Sequence, residues 1–210
     1  MEEPTRILAI RHGQTAWNAD KRIQGQLDLP LNATGLLQAR RVADALADEP
    51  IAAIYCSDLD RAVQTAAPLA RHKQLPLRCD PSLRERGFGE FQGLTFDEIT
   101  QRWPEQALRW RRRDPDYGPE GGERLSDFHD RCVAAAWRLA GAHPGQTIVL
   151  VAHGGVMDCL YRSAVGVGVS ATRTWQLDNA AVNRLLWSPQ GLSLVGWNDL
   201  SHLEDLPRGG

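Results

Sequence analysis

Lysine is almost missing from this 210-residue chain. Of its 24 lysine and arginine residues, only Lys21 and Lys73 are lysines. The formal net charge is −2, so overall charge gives no support to nucleic-acid binding. No stretch approaches the ~20 apolar residues that a membrane-spanning helix needs, so no membrane insertion is predicted. Arginine favours bidentate contacts with phosphate or carboxylate, although its abundance can also follow from genome composition.

Closely spaced cysteine pairs are missing as well. None of Cys56, Cys79, Cys132 and Cys159 belongs to a CxxC pair, which argues against a zinc site or thioredoxin-like redox chemistry. Three of the four fall in apolar or helical stretches, which predicts buried free thiols. The acidic segment 1–4 lacks the basic and then apolar layout of a signal peptide, so we expect a cytoplasmic protein.

Strand and helix patterns alternate along the chain. The predicted strands are residues 6–10, 51–56, 75–79 and 146–152, and a closing hairpin is predicted from 181–187 and 191–197. The predicted helices are residues 34–48, 58–67, 126–140 and 157–165. This alternation indicates an α/β layered fold with a mostly parallel sheet.

Two details of the predicted helices can be checked directly. Helix 34–48 should place one apolar face on the core, formed by Leu36, Ala39, Val42, Ala43 and Leu46. Pro68 should either kink the next helix or begin a separate turn.

The most informative feature is a histidine followed by glycine at the end of two predicted strands. Arg11-His12-Gly13 follows the apolar run 7–10, and His153-Gly154-Gly155 follows the run 148–152. Ligands of parallel sheets bind beyond the carboxyl ends of the strands, so both histidines should belong to one site. An imidazole can attack phosphorus, and a guanidinium can hold a phosphate with two hydrogen bonds.

Three further polar positions belong to the same prediction. Asn18 closes the turn that follows His12, where it either donates to a phosphate or caps the turn. Arg61 lies near a helix N-terminus, where both its charge and the helix dipole favour an anion. Glu85 lies in a glycine-punctuated loop, where it either serves the site or pairs with a neighbouring arginine, Arg84 or Arg86.

These segments, in this order and together with residues 31–35, resemble the histidine phosphatase superfamily in its phosphoglycerate mutase-like branch. The resemblance covers most of the chain. It implies a three-layer α/β/α sandwich with a mostly parallel mixed sheet, a small helical cap and catalysis without a metal. We therefore expect residues 1–210 to form a single domain with a cap excursion at about 95–123.

The resemblance also implies a role for each matching residue. His12 would be the nucleophile that becomes phosphorylated, and Glu85 would give a proton to the leaving alcohol. The groups expected to bind the phosphoryl group are Arg11, Arg61, His153 and Asn18, and those expected to line the pocket are Gln24 and Gly154.

The predicted activity is hydrolysis of a small phosphorylated metabolite through a phosphohistidine, with no cofactor. The alternative is a phosphoglycerate mutase primed by 2,3-bisphosphoglycerate, and a remote one is a non-catalytic phospho-ligand binding protein. Mutases of this family tend to carry a larger central insertion, so the compact excursion favours the phosphatase.

Three surface features leave alternatives open. An exposed closing hairpin could support a homodimer. The run 111–113 is either a solvated helix face or a rim that attracts anionic substrates. Trp103 and Trp110 either pack within the cap or also contact an apolar part of the substrate.

Overall fold

A six-stranded mixed sheet, in the order β3-β2-β4-β1-β5-β6, forms the centre of the computed structural model, which describes residues 3–204. Its strands are β1 (Thr5–Arg11), β2 (Ile51–Cys56), β3 (Leu77–Cys79), β4 (Thr147–Ala152), β5 (Val182–Ser188) and β6 (Gly191–Asp199). The first four strands run parallel, whereas β5 and β6 pair antiparallel. The predicted mostly parallel mixed sheet is therefore confirmed.

Helices cover both faces of this sheet. They are α1 (Ala16–Ala19), α2 (Ala33–Ala45), α3 (Asp60–Lys73), α4 (Phe96–Arg102), α5 (Pro104–Arg111), α6 (Leu125–Gly141) and α7 (Gly154–Val165). Helices α2 and α3 contribute to one apolar core, and α6 and α7 contribute to the other. The central strand β4 is buried along its whole length, as its uninterrupted apolar run requires. This is the predicted three-layer sandwich.

Helix α2 buries four of the five residues predicted for its core face, namely Ala39, Val42, Ala43 and Leu46. The exception is Leu36, which is 45% exposed, and Gly35 is buried in its place. The cause is the close approach of the helix to the turn after β1. A Cβ at Gly35 would lie 2.1 Å from the carbonyl oxygen of Gln14, so only glycine fits this contact.

Helix α3 continues past Pro68 and ends at Lys73, which excludes a separate turn there, and the alternative of a kink at Pro68 stays a prediction. A proline inside a helix costs about 3 kcal/mol because a backbone hydrogen bond is lost. The turn that follows Pro68 buries Leu69 and Ala70 in the core, and this burial offsets the cost.

The excursion at 95–123 contains α4 and α5 and has a small core of its own. Phe91, Ile99, Ala107 and Tyr117 are buried there, and both Trp103 and Trp110 pack against them. The predicted packing role of the two tryptophans is confirmed.

The arginine run 111–113, which begins at the last residue of α5, divides in two. Arg111 and Arg112 are exposed, as a solvated face predicts. Arg113 adopts a left-handed conformation with φ 54° and its guanidinium lies 2.6 Å from the carboxylate of Asp158. The last arginine therefore ties the excursion to α7.

The chain closes with the predicted hairpin, and β6 forms one edge of the sheet. Val195 on this strand is 60% exposed. A homodimer through the hairpin stays a prediction. Within residues 3–204, no helix combines the length and apolarity needed to cross a membrane.

The cysteines lie where the sequence predicts. Cys56, Cys132 and Cys159 are buried free thiols, and Cys79 is exposed.

Candidate active site

A cavity of about 160 Å³ opens at the carboxyl ends of β1 and β4. Seven of the eight predicted site residues line it, namely Arg11, His12, Asn18, Gln24, Arg61, Glu85 and Gly154. The eighth, His153, is fully buried beside them and does not line the cavity. The sequence analysis missed four lining residues, which are Arg22, Ile23, Gly25 and Phe88.

His12 presents a neutral ring with its reactive nitrogen free. The ring nitrogen Nδ1 lies 2.7 Å from the carbonyl oxygen of Gly13, so Nδ1 carries the proton and donates it to that oxygen. The lone pair is then on Nε2. Burial lowers the pKa of His12 well below its ordinary value, and the charges of Arg61 and Arg11 lower it further. The imidazole is therefore neutral and its Nε2 unprotonated, as nucleophilic attack by that nitrogen requires.

His153 presents the opposite tautomer. Arg61 donates from Nε to Nδ1 of His153 over 3.2 Å, so the proton of the neutral ring is on Nε2. This buried Nε2 has no hydrogen-bond partner within the described chain. Burial and the charge of Arg61 lower the pKa of His153 well below its ordinary value. The centroids of the His12 and His153 rings are 5.2 Å apart, which one phosphoryl group can span.

Arg61 is held from several sides. Besides His153, it donates from Nη1 to the carbonyl of Leu27 over 2.8 Å and from Nη2 to the carbonyl of Gly25 over 2.6 Å. Burial lowers its pKa to about 10, which still leaves the guanidinium charged at neutral pH. Three of its five N–H donors are used in this way, so two remain for a ligand.

Thr65 connects two of the predicted motifs, and sequence reasoning gave it no role. Its hydroxyl accepts from the backbone N–H of Gly13 at 2.9 Å and donates to the carbonyl of Arg61 at 2.6 Å. Thr65 lies one turn after Arg61 in α3 and is fully buried. It therefore sets the distance between the end of β1 and the start of α3.

Arg11 occupies the other side of His12. One of its terminal nitrogens donates to the carbonyl of Leu177, whereas its buried Nε has no partner among residues 3–204. Burial lowers its pKa. Two buried donors, Nε of Arg11 and Nε2 of His153, are therefore unpaired at one site. Each unpaired buried donor costs about 1–3 kcal/mol, which an anionic ligand would recover.

Asn18 caps the turn after His12, which is one of its two predicted roles, and its contact with a phosphate stays a prediction. Its Oδ1 accepts from the backbone N–H and the hydroxyl of Thr15, both at 3.0 Å, which completes a capping box for α1. The oxygen is thereby committed, and the amide Nδ2 remains as a donor at the cavity. Gln24 is buried, and its Oε1 has no partner in the part of the chain that the structure describes.

Glu85 lies in the cavity wall and is not part of a surface ion pair. Its Oε1 accepts from the N–H of Arg86 at 2.8 Å, and its Oε2 accepts from the N–H of Gly155 at 3.0 Å. The salt-bridge alternative is wrong because Arg84 pairs with Asp58 at 2.6 Å, and the guanidinium of Arg86 donates to backbone carbonyls.

Gly155 is required by this contact. A Cβ at that position would lie 2.2 Å from Oε1 of Glu85 and 3.0 Å from the ring of Phe128. The second glycine after His153 therefore makes room for the carboxylate.

The two buried imidazoles predict that the protein loses stability in mild acid. Folding lowers both pKa values below the ordinary 6.5, so the unfolded chain binds more protons below that pH. The contribution of these imidazoles to the free energy of unfolding is then fully present above about pH 6.5. Below that pH, the free energy of unfolding decreases by about 1.4 kcal/mol for each pH unit and each imidazole. Urea unfolding between pH 7.5 and 5.5 measures this slope.

The matched controls for this experiment are two asparagine variants. His153→Asn should reduce the slope by about 1.4 kcal/mol per pH unit, whereas His72→Asn on the exposed face of α3 should leave it unchanged. A free energy of unfolding that does not change over this pH range would contradict the neutral, buried state of both rings.

The donors needed for a metal centre are not gathered in this cavity. Residues 3–204 contain no group of three or more His, Cys, Asp or Glu side chains placed to hold a metal ion.

Comparisons with known proteins agree with this architecture. Residues 7–200 match the family model of the histidine phosphatase superfamily, branch 1. The chain is 41% identical to phosphoglycerate mutase-like protein 4 of Arabidopsis thaliana, covering 95% of this chain and 87% of that protein. It is 36% identical to the metal-independent phosphoserine phosphatase of the same plant, covering 97% and 85% respectively.

A solved structure extends the agreement to the fold. Bacillus stearothermophilus YhfR superposes with a TM-score of 0.89 at 30% identity, covering 95% of this chain and all of that one. The chain therefore belongs to branch 1 of the histidine phosphatase superfamily.

Proposed function

We propose that this phosphomonoesterase of the histidine phosphatase family works through a phosphohistidine formed on Nε2 of His12. The observation that carries the proposal is the hydrogen bond from Nδ1 of His12 to the carbonyl of Gly13. It directs the lone pair of a neutral ring away from the backbone, and the ring lines a cavity together with Arg11 and Arg61. Phosphoryl transfer needs this combination of an in-line nucleophile and fixed positive charge.

In the first step, Nε2 of His12 attacks phosphorus while the bond from phosphorus to the ester oxygen breaks. Arg11 and Arg61 balance the charge on the equatorial oxygens, and Nε2–H of His153 and Nδ2 of Asn18 donate to them. Glu85, in its protonated form, gives its proton to the departing alkoxide. The products are the alcohol, a phosphorylated His12 and a Glu85 carboxylate.

In the second step, the Glu85 carboxylate takes a proton from a water molecule that attacks the phosphohistidine. The bond from phosphorus to Nε2 breaks, and inorganic phosphate leaves. Both protein groups return to their starting states, so no other reactant is consumed. We propose that no metal takes part, and the 36% identical phosphoserine phosphatase, which is named as metal-independent, supports this.

The substrate should be a small metabolite. A cavity of about 160 Å³ is smaller than the ~300–1,000 Å³ of pockets that hold drug-sized ligands. We propose that the 95–123 excursion acts as a cap over this cavity and that both belong to a single domain. The support is that Phe88 lines the cavity and that Arg22 of the cavity wall forms an ion pair with Glu98 of the excursion.

Hydrolysis of p-nitrophenyl phosphate in the presence of EDTA tests the proposal. We expect turnover with release of one phosphate per nitrophenol, and inhibition by vanadate, which mimics pentavalent phosphorus. A phospho-enzyme trapped at early times should lose its label in acid, as phosphohistidine does. A purified, folded protein with no turnover between about pH 5 and 7 would contradict the proposal and favour a binding protein.

Phosphoglycerate mutase activity is the second candidate, because the 41% identical relative is named phosphoglycerate mutase-like. The two activities share the phosphohistidine and differ in whether water or a product alcohol accepts the phosphoryl group. Incubation of 3-phosphoglycerate with 2,3-bisphosphoglycerate separates them. Isomerisation without release of phosphate would identify a mutase.

A further inference from the structure

Glu85 lies in residues 84–87, a stretch that belongs to no helix or strand. No regular element therefore fixes the direction of its side chain. A proton donor has to lie within hydrogen-bonding distance of the leaving oxygen, and a displacement of about 1 Å can lower the rate about 100-fold. The contacts that fix the backbone of this stretch therefore decide whether Glu85 reaches a departing alkoxide.

Arg131 of α6 binds three backbone carbonyls at the start of this stretch. Its Nη1 donates to the carbonyls of Ser82 at 2.9 Å and Arg84 at 3.0 Å. Its Nη2 donates at 3.4 Å to the carbonyl of Glu85 itself, which also accepts from Nε2 of Gln26 at 3.1 Å. The contact with Glu85 is the longest of the three, so the two shorter bonds do most to fix the backbone before Glu85.

Glu123 binds the other end of the stretch. Its two carboxylate oxygens accept from Nε and Nη2 of Arg131 at 2.9 and 2.8 Å, which is the bidentate geometry of a strong ion pair. Oε2 also accepts from the backbone N–H of Gly87 at 2.7 Å, and the backbone carbonyl of Glu123 accepts from Nε of Arg86 at 3.0 Å. Each of residues 84–87 is therefore hydrogen-bonded to Glu123 or to Arg131.

The ion pair of Glu123 with Arg131 is separate from the phosphoryl site. Neither residue is among those of residues 3–204 that line the cavity, so neither contacts a phosphate ester bound there. The opposite charges of the two side chains cancel, so the pair fixes the stretch without adding net charge beside the proton donor.

We infer that the ion pair of Glu123 with Arg131 sets the position of Glu85, so that Arg131 is a positioning residue for proton transfer to the leaving group. This inference rests on the proposed phosphatase function and extends it to residues outside the cavity. The alternative is that the pair only stabilises the fold, in which case its loss would affect every substrate equally.

The leaving group distinguishes these two roles. The alkoxide of benzyl alcohol needs a proton to leave phosphorus, whereas p-nitrophenolate leaves without one. Benzyl phosphate and p-nitrophenyl phosphate are otherwise alike in carrying one phosphate ester and one aromatic ring. Since kcat/KM reports the steps up to release of the alcohol, a displaced Glu85 lowers kcat/KM for benzyl phosphate and spares that for p-nitrophenyl phosphate.

Arg131→Met is expected to lower kcat/KM for benzyl phosphate about 10- to 100-fold relative to p-nitrophenyl phosphate, which is part of what a general acid contributes. For p-nitrophenyl phosphate alone, kcat should fall while kcat/KM stays within about threefold, because Glu85 is also the base that hydrolyses the phosphohistidine. An unchanged ratio of the two kcat/KM values would overturn the inference. If the wild type does not turn over benzyl phosphate, an unchanged kcat for p-nitrophenyl phosphate would overturn it.

Arg138→Met is the matched control on the same helix. Arg138 lies about two turns after Arg131 and forms an ion pair with Asp80 at 2.6 Å. Within the described chain, its side chain makes no hydrogen bond to residues 84–87. The ratio of the two kcat/KM values should therefore keep its wild-type value in this variant.

Two conservative variants make the same comparison if Arg131→Met does not fold. Arg131→Lys, which keeps the charge and loses the fork, and Glu123→Gln should both change the ratio in the same direction by a smaller factor. In a Glu85→Gln background, Arg131→Met should leave the ratio nearly unchanged, because the proton donor that it positions is already gone. A further loss of the same size in that background would overturn the inference.

Turnover of p-nitrophenyl phosphate by the wild type separates this inference from the proposed function. Its absence would contradict the phosphatase function itself. An active wild type with an unchanged substrate ratio in Arg131→Met would contradict the positioning role alone.

Discussion

Replacing His12 with alanine is expected to lower kcat for p-nitrophenyl phosphate by at least about 10⁴-fold. The ring is 3% exposed and its Nδ1 donates to Gly13, which leaves Nε2 as the nucleophile of the proposed mechanism, and alanine removes this atom. Steady-state assays with a sensitive phosphate readout measure the loss. The same variant should form no acid-labile phospho-enzyme.

The control for this variant is His72→Ala, which removes an exposed imidazole from α3 and should retain wild-type turnover. Exogenous imidazole should partly rescue His12→Ala, because the cavity left by the side chain lies beside the cationic phosphoryl site. A merely structural histidine would not be rescued in this way. A turnover rate of His12→Ala within tenfold of the wild-type rate would contradict the assignment of His12 as the nucleophile.

Replacing Arg61 with methionine is the second large effect we expect, with kcat/KM falling by about 10³- to 10⁵-fold. The substitution keeps most of the side-chain volume and removes the cation that faces the equatorial oxygens. It also frees the ring of His153, whose tautomer is set by the Arg61 Nε–H. A vanadate inhibition constant that rises strongly in the variant would locate the loss at the phosphoryl site.

The cost of Arg61→Met in stability needs a matched control. The carbonyls of Gly25 and Leu27 lose their donor, at about 1–3 kcal/mol for each buried group. Arg162→Met removes another fully buried arginine, which pairs with Asp158 in α7 and does not line the cavity. That variant should lose stability while the folded fraction keeps its kcat/KM. Equal kinetic losses in both variants would mean that Arg61 is structural.

The sequence predicts the elements of this fold correctly where the pattern of apolar residues lies within one continuous segment. The run 148–152 is apolar without interruption, and β4 is the fully buried centre of the sheet. Positions whose burial depends on another segment of the chain are not predicted by the local pattern. Leu36 continues the helical period and is nevertheless exposed, because the backbone at Gln14 occupies the space beside Gly35.

Pro68 and Arg113 show the same limit. Pro68 predicts either a kink or a separate turn, and the separate turn does not form because the buried turn after Pro68 continues the helix. Arg113 shares its chemistry with the two arginines before it, yet it alone turns inward to Asp158. In both cases the residue type determines a local preference, and packing against a distant segment decides the outcome.

By itself the sequence determined which chemical groups stand at the carboxyl ends of β1 and β4, because parallel strands bring those ends to one edge of the sheet. Only the tertiary structure decided how these groups are used. Opposite tautomers of His12 and His153, and the place of Arg22 in the cavity wall, depend on contacts between segments far apart in the chain. Such contacts act over about 3 Å, a distance that packing sets and residue order does not encode.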